Sequence, residues 1–433
     1  MSRNRNKRSV GLFGAIAIGI GGMVGGGIFA VLGEAVSLAH GATFVAFFFA
    51  GMVALLTAYS YAKLSVAIPN RGGTVVFVDR AFKHNLLSGS VNLMLWLSYL
   101  VTISLYATAF ASYGATFFPH ADPFYIKHGL ITLAILLPMM INLVSASFVS
   151  KSESLFVFIK VTLLIVIVVS GSFFVDTDRL SPEHWESPVA IVTAGMIIFV
   201  AYEGFELIAN AAEEIVDPEK NLPRAFYGSV LFVIILYVSI SIVTVGVVSE
   251  EKLMSAKDYA LAIAAEPALG RVGFTLVAIA ALLSTFSAIN ATIYGNARLG
   301  YKLAQSGRLP RSLALETRQI PSLGVRVTAL ASILLANSIS LSEIAIIGSA
   351  GFLLIFMIVN IAAFKMRKDI GADSLITVMA IVLSAMALIT ILVHTYKSDP
   401  RAIVIFSLFI FGSFLFEFFY GRLVRGQFFL RRY

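Results

Sequence analysis

The chain has 433 residues, of which 58% are hydrophobic and 13% charged, whereas soluble domains carry roughly 45–50% apolar and about 25% charged residues. So few polar residues cannot cover so large an apolar core, which excludes a soluble protein, and the lack of cysteine excludes a disulfide framework or a thiolate metal site. The net charge of +8 indicates loops that face anionic lipid, and no nucleic-acid partner is expected.

Apolar runs of about twenty residues recur along the chain, and this length crosses the hydrocarbon core of a bilayer as an α-helix. Helices are expected because a segment in lipid must satisfy its own backbone hydrogen bonds. The runs therefore predict an all-α membrane protein with twelve transmembrane helices. In chain order, the predicted helices are 10–38, 42–67, 87–118, 127–147, 152–174, 189–214, 224–248, 270–303, 324–340, 343–364, 372–395 and 401–422.

The distribution of lysine and arginine orients these helices. With the predicted helix ends, 24 of the 32 basic residues lie at or near one side of the membrane and seven at the other, and Lys160 is left inside a span, far from either end. Basic residues are enriched in cytoplasmic loops. The bias predicts a multi-pass protein of the cell (plasma or inner) membrane with both termini in the cytoplasm.

The first predicted helix contains the run IGIGGMVGGGIF at 18–29, with six glycines. Each glycine costs about 1 kcal/mol relative to alanine in a helix interior, so the run predicts an unwound stretch in mid-membrane. Free amides at the start of a half-helix attract a carboxylate by dipole and by hydrogen bond, which favours a ligand site. The alternative is that the small residues serve close helix packing.

Lys160 lies in the fifth predicted helix, eight residues past Ser152 and therefore roughly 12 Å along the helix axis. A lysine that faces the bundle interior loses hydration, which disfavours its charged form, so its amine can exchange a proton near neutral pH. This favours a role in proton coupling. The alternatives are a permanent structural ion pair and a side chain that snorkels to the interface.

The sixth predicted helix contains FVAYEGFELIANAAEE at 199–214, in which Glu203 and Glu206 flank Gly204. Carboxylates at this depth usually face a cavity or a partner. If the segment is helical, the two residues lie near one face; if it unwinds at Gly204, they diverge. The alternative to a functional role is a carboxylate paired with a lysine or with a free backbone end.

The two interruptions occupy the first and sixth helices, which are corresponding places in two five-helix halves. Such a pair of broken helices is typical of an inverted-repeat transporter with its site near the midplane. We therefore predict a cytoplasmic tail at 1–9, a first repeat at 10–174, a second, inverted repeat at 189–364, two accessory helices at 372–422 and a second tail at 423–433.

Five motifs carry a resemblance to a known family. They are GGGIF (25–29), IPNRGG (68–73), AYEGFE (201–206), EEIVDPEKNLPRA (213–225) and SAINATIYGNARLGYKLAQSGRLP (287–310). With these motifs the chain resembles the amino acid–polyamine–organocation transporters, whose core is the LeuT-type five-plus-five inverted repeat. It is particularly similar to the proton-coupled ApcT-type members, which also place a lysine at the position of Lys160.

The resemblance implies a substrate site at the two interruptions. The family's helix-one motif binds the substrate carboxylate, and helix-six carbonyls receive the ammonium. Gly26 stands where the family usually has a side-chain hydroxyl, and Glu203 replaces a commoner small or apolar residue. Tyr99, beside Tyr106 on one face of the third helix, either lines the pocket or packs ordinarily. The substrate-binding residues are predicted to be Met23, Gly25, Gly26, Gly27, Tyr99, Phe199, Val200, Ala201, Tyr202 and Glu203.

The resemblance also implies how transport is coupled. Sodium-coupled relatives hold a cation between helices one and eight, and here the amine of Lys160 is expected to take its place. The matching positions are Gly21, Gly22, Ser284 and Ser287. Glu206 matches a carboxylate found in many members and is a candidate pH sensor.

These observations predict a secondary active transporter that takes up amino acids with protons by alternating access. One alternative is an amino acid/polyamine exchanger without net proton flow; another, from a different class, is a transporter-like receptor or a channel. We expect no enzyme, metal or cofactor, because the sequence has no metal cluster, nucleophile–base pair or phosphate loop. The expected partners are the substrate, protons and lipid, with a possible second copy of the chain.

Overall fold

The computed structural model describes residues 8–83, 85–144, 146–317 and 320–424, with the side chains of 146–155 outside the description. The two predicted tails lie largely outside these ranges. The α-helices, in chain order, are α1 (Leu12–Met23), α2 (Gly27–Ala39), α3 (Thr43–Ala67), α4 (Thr74–Phe82), α5 (Leu86–Ala115), α6 (Pro123–Val144), α7 (Ala146–Ser172), α8 (Pro188–Ile197), α9 (Leu207–Asn210), α10 (Pro218–Val247), α11 (Glu250–Ser255), α12 (Ala260–Gln305), α13 (Ser322–Ser338), α14 (Leu341–Lys365), α15 (Arg367–Ile370), α16 (Ser374–Ser398) and α17 (Pro400–Leu423).

The described part of the chain contains nine helical segments that are long and apolar enough to cross a membrane, and the bent pair α1 and α2 makes a tenth. Two further apolar segments, Phe156–Ser172 and Ser322–Ser338, are shorter. The prediction of an all-α membrane protein is confirmed. Each of the twelve predicted helices corresponds to one of these segments, while the number that crosses the bilayer stays a prediction.

The predicted helix at 270–303 differs most from the structure, because α12 begins ten residues earlier, at Ala260. A loop helix and a membrane helix join there at Gly270, whose φ of 63° is not helical, and Pro267 precedes the join. Proline lacks an amide proton and glycine adopts positive φ readily, so the two permit a kink. The apolar pattern of the sequence predicts only the part of α12 that lies in the membrane.

The two interrupted helices lie at the centre of the bundle. The segment Pro188–Asn210 is mostly buried, as are α5 and α14, whereas most residues of α6, α16 and α17 are at least partly exposed. Helix α10 packs along α3 and α1, and α12 packs along α5. The breaks are therefore enclosed by a scaffold of longer helices.

Ion pairs join the elements at both ends of the bundle. At one end Arg71, between α3 and α4, contacts Glu213 at 3.3 Å and Glu214 at 3.1 Å, the last two residues of the sixth predicted helix. At the other end Lys257 contacts Glu34 of α2 at 2.5 Å. Both sets tie a broken helix to a neighbouring loop.

Candidate functional site

The first interruption separates α1, which ends at Met23, from α2, which begins at Gly27, and the two helices meet at an angle of 51°. This confirms the predicted break. The backbone amides of Gly25, Gly26 and Gly27 donate no hydrogen bond to any described residue, although all three residues are buried. The first amides of a helix have no intrahelical acceptor, so the break presents unused donors inside the protein.

Neighbouring side chains explain the glycines at this break. A Cβ on Gly26 would lie 2.4 Å from the ring of Tyr106, and one on Gly25 would lie 3.2 Å from the Tyr106 hydroxyl. The ring of Tyr106 therefore covers the position at which the family usually has a hydroxyl. This accounts for glycine at position 26.

The second interruption lies between α8 and α9. Helix α8 ends at Ile197, a 3-10 helix continues from Ile198 to Tyr202, and Gly204 then adopts a φ of 119° before α9 begins. The amide of Val200 donates to the Ser349 hydroxyl of α14 at 2.9 Å. The sixth helix is therefore unwound at the glycine, as one of the two readings of the sequence required.

The two interruptions are in direct backbone contact. A Cβ on Gly22 would lie 2.5 Å from the carbonyl oxygen of Gly204, and a Cβ on Gly27 would lie 2.8 Å from the Cα of Ala201. A side chain at Gly22, Gly27 or Gly204 would push the two chains apart. The glycine run thus serves close packing as well as unwinding, while the ligand site at the break stays a prediction.

Tyr237 of α10 links the two breaks through its hydroxyl. This hydroxyl donates to the carbonyl of Met23 at 2.7 Å and to that of Ala201 at 3.2 Å. Sequence reasoning missed Tyr237, because a single tyrosine in an otherwise apolar helix has no pattern that distinguishes it from core packing.

Glu203 and Glu206 lie side by side, with only 4% and 2% of their surface exposed, and their carboxyl groups interact electrostatically. The expectation that unwinding separates them is wrong, because the turn at Gly204 folds Glu206 back to accept that residue's amide at 2.8 Å. The hydroxyls of Tyr99 and Tyr106 donate to Glu206 at 3.3 Å and to Glu203 at 3.5 Å. Within the described ranges neither carboxyl group has a basic partner, and no third ligand completes a metal site.

Lys160 is 5% exposed, and its Nζ donates to the carbonyl of Gly21 at 3.0 Å. The side chain therefore points to the first break and does not snorkel. Ser284 of α12 donates to the carbonyl of Gly25 at 2.6 Å, on the other side of the same break. Ser287, the second serine predicted at this position, is half-buried, and its hydroxyl makes no hydrogen bond to a described residue.

Two predicted pocket residues face the scaffold in this structure. The ring of Phe199 packs edge-on against Phe356 of α14, with ring centroids 6.0 Å apart. The hydroxyl of Tyr202 donates to the carbonyl of Phe47 in α3 at 2.9 Å. Their side chains fix the 3-10 segment, and Ala201 between them faces the first break.

Comparison with known proteins agrees with this architecture. A family model described as amino acid permease matches residues 10–417. The inner membrane transport protein YbaT of Escherichia coli is 31% identical over 95% of each chain. The branched-chain amino acid permease BcaP of Bacillus subtilis is 24% identical over 84% of this chain and 81% of its own, and the methylthioribose transporter of the same species is 25% identical over 83% and 81%. The chain therefore belongs to the amino acid permease family, whose members are membrane transporters, and with it to the amino acid–polyamine–organocation superfamily.

Proposed function

We propose that the chain takes up amino acids across the cell membrane as a secondary active transporter that works by alternating access. The observation that carries the proposal is the set of unused, buried amides at Gly25, Gly26 and Gly27, opposite the carbonyls of Met23 and Ala201. An α-amino acid carries a carboxylate and an ammonium on one carbon. Donors and acceptors exposed at adjacent helix breaks complement both groups.

The proposed binding mode follows from these two sets of groups. The amides at the start of α2 bind the substrate carboxylate, where the helix dipole adds to the hydrogen bonds. The carbonyl of Ala201 accepts from the ammonium, which is the role that the family resemblance implies for helix-six carbonyls, and the carbonyl of Met23 accepts together with it. Val200 and Tyr99 are proposed to complete the site, while Phe199 and Tyr202, whose side chains pack against the scaffold, hold the backbone of the 3-10 segment in place.

Lys160 is proposed to carry the coupling proton. Its amine and the hydroxyl of Ser284 bind carbonyls on either side of the first break, at Gly21 and Gly25. Protonation at Lys160 therefore places a positive charge beside the carbonyl of Gly21, the residue before Gly22, which touches the second break. The coupling proton would in this way stabilise one arrangement of the breaks relative to another.

Alternating access requires contacts at the two ends of the bundle to open in turn. We assign the end with Arg71, Glu213 and Glu214 to the cytoplasm, and the end with Lys257 and Glu34 to the outside, as the distribution of basic residues predicts. A substrate or proton shifts this equilibrium only by its difference in affinity for the two states. The bundle that contains the two broken helices is proposed to rock against the scaffold of longer helices in this step.

Uptake by purified protein in vesicles, with a panel of labelled amino acids at two external pH values, tests the proposal. We expect saturable uptake of at least one amino acid that is faster at acidic external pH. Counterflow that is equally fast with and without a pH gradient would favour the exchanger. Conductance that does not saturate would favour a channel, and binding without uptake a receptor.

Replacing Ser284 with alanine removes the hydroxyl that binds the Gly25 carbonyl. We expect uptake to fall about threefold to tenfold, the effect of one hydrogen bond of roughly 0.5–1.5 kcal/mol. Thr292→Ala is a matched control on the same helix, because the Thr292 hydroxyl donates only to the carbonyl of Ala288, one turn away. Equal initial rates of uptake in the two variants would count against a role for Ser284.

Glu203 is proposed to set substrate preference, because its carboxyl group lies next to the site without a basic partner among the described residues. In Glu203→Gln we expect the KM for lysine to rise about tenfold, since a hydrogen bond to a charged group is lost, while the KM for leucine changes little. Glu251→Gln, in the exposed first turn of α11, is the control. A parallel change for both substrates would contradict a role in selectivity.

A further inference from the structure

Tyr237 makes a contact that neither the sequence nor the family resemblance assigns. Its side chain is fully buried, and its hydroxyl binds the carbonyls of Met23 and Ala201, which belong to two different helices. Met23 is the last residue of α1, and Ala201 lies in the 3-10 helix before Gly204. Within the described ranges no backbone amide outside these helices donates to either carbonyl, so both are acceptors that the breaks have released.

The aromatic surroundings fix the position of this hydroxyl. The ring of Tyr237 packs edge-on against Phe47 of α3, with centroids 5.8 Å apart, and against Tyr202, with centroids 5.3 Å apart. A buried ring held from two sides cannot swing away from the breaks. Its oxygen is therefore a fixed point on α10 to which both carbonyls are held.

The number of protons and lone pairs decides what this arrangement can do. A tyrosine hydroxyl has one proton to donate, which the two carbonyls share, and each carbonyl oxygen has two lone pairs. Each carbonyl therefore keeps a lone pair for a second donor. An ammonium group has three donors, so it can bind both carbonyls while Tyr237 continues to do so.

We propose that Tyr237 is a positioning residue for the substrate ammonium: its hydroxyl holds the carbonyls of Met23 and Ala201 so that both accept from one ammonium group. This inference deepens the proposed function and rests on it. Without the hydroxyl, the two chain segments still touch at Gly22 and Gly27, but no other hydrogen bond to a described residue holds the two carbonyls in place. Pre-orientation of this kind lowers the conformational free-energy cost of binding, because the carbonyls are already in place when the substrate arrives.

Tyr113 provides a matched control. It is also fully buried, and its hydroxyl donates to a single carbonyl, that of Phe29 in α2, at 3.3 Å. Its ring packs edge-on against the ring of Phe29. Tyr113→Phe therefore removes a hydroxyl of the same kind without affecting the carbonyls at the breaks.

The experiment compares Tyr237→Phe, Tyr113→Phe and wild type in vesicles. The probes are the panel amino acid with the lowest wild-type KM and the carboxylic acid that lacks only its α-ammonium, used as a competitor. In Tyr237→Phe we expect the KM to rise about tenfold, while the maximal rate and the inhibition constant of the competitor stay near the wild-type values. Tyr113→Phe should leave the KM, the maximal rate and the inhibition constant of the competitor unchanged. Thermal unfolding of each variant shows whether it is folded.

Each outcome decides between the proposals. If the KM and the competitor's inhibition constant rise together, Tyr237 acts on the whole site and the ammonium-specific role is overturned. The same holds if Tyr237→Phe behaves like Tyr113→Phe, or if it does not fold. If wild-type vesicles take up no amino acid, the proposed function itself is overturned, whereas saturable wild-type uptake with an unchanged Tyr237→Phe overturns this inference alone.

Discussion

Replacing Gly204 with alanine is expected to abolish uptake. Gly204 has a φ of 119°, which L side chains rarely adopt, and a Cβ there would lie 2.3 Å from the carbonyl carbon of Gly22. That neighbour is backbone and cannot rotate away as a side chain would. The variant must therefore either separate the two breaks or change the turn between Tyr202 and Leu207.

Either change moves the carbonyl of Ala201 relative to that of Met23 and alters the proposed site. A displacement of about 1 Å in such a site lowers the rate on the order of 100-fold. Backbone strain also lowers the free energy of unfolding by about 1–3 kcal/mol. Initial rates of uptake in vesicles, normalised to folded protein, measure the first effect. Thermal unfolding in detergent measures the second.

Two further variants separate strain from contact. Gly371→Ala places alanine at a positive φ of 62° with no heavy atom within 4 Å of its Cβ, so it tests strain alone and should keep nearly full uptake. Gly22→Ala tests contact alone, because its Cβ would meet the Gly204 carbonyl from a helical position. We expect Gly22→Ala to lose uptake as Gly204→Ala does. Near-normal uptake by Gly204→Ala would show that the contact between the breaks is not needed.

Most of the fold can be predicted from the sequence because lipid imposes a simple rule. A segment that crosses the bilayer needs about twenty apolar residues in a helix, so every long helix coincides with an apolar run. The short helices α4, α11 and α15 follow no such rule and were not predicted. The predicted helix at 270–303 leaves out the first turns of α12 for the same reason, since they belong to a loop.

The candidate site is less predictable, because its geometry depends on contacts between distant segments. The glycine run predicts a break in the first helix, yet no property of 18–29 alone indicates that Gly22 meets Gly204. Glu203 and Glu206 could be identified from the sequence, because a carboxylate in an apolar membrane helix costs free energy. Their proximity could not, because it depends on a turn formed by the positive φ of Gly204. Tyr237 is recognisable only once both carbonyls are placed in space.

Replacing Lys160 is expected to make uptake independent of external pH. The Nζ of Lys160 donates to the carbonyl of Gly21, the residue before the glycine at which the two breaks touch. In the proposed mechanism, acidic external pH loads a proton on Lys160 and speeds uptake. Lys160→Ala removes the titrating group and the hydrogen bond, so we expect maximal uptake to fall about tenfold and the rates at acidic and neutral external pH to become equal, while part of the substrate binding remains.

Lys160→Gln separates the proton from the hydrogen bond. Its amide still donates to the Gly21 carbonyl but does not titrate, so we expect more residual uptake than in Lys160→Ala and the same loss of pH dependence. Lys63→Ala, which removes a lysine from α3 at a ring contact with Tyr59, should keep the wild-type pH profile. If the pH dependence of initial rates persists in Lys160→Gln, the coupling proton must bind elsewhere. The buried pair Glu203 and Glu206, on the far side of the Gly22–Gly204 contact, then becomes the place to look for it.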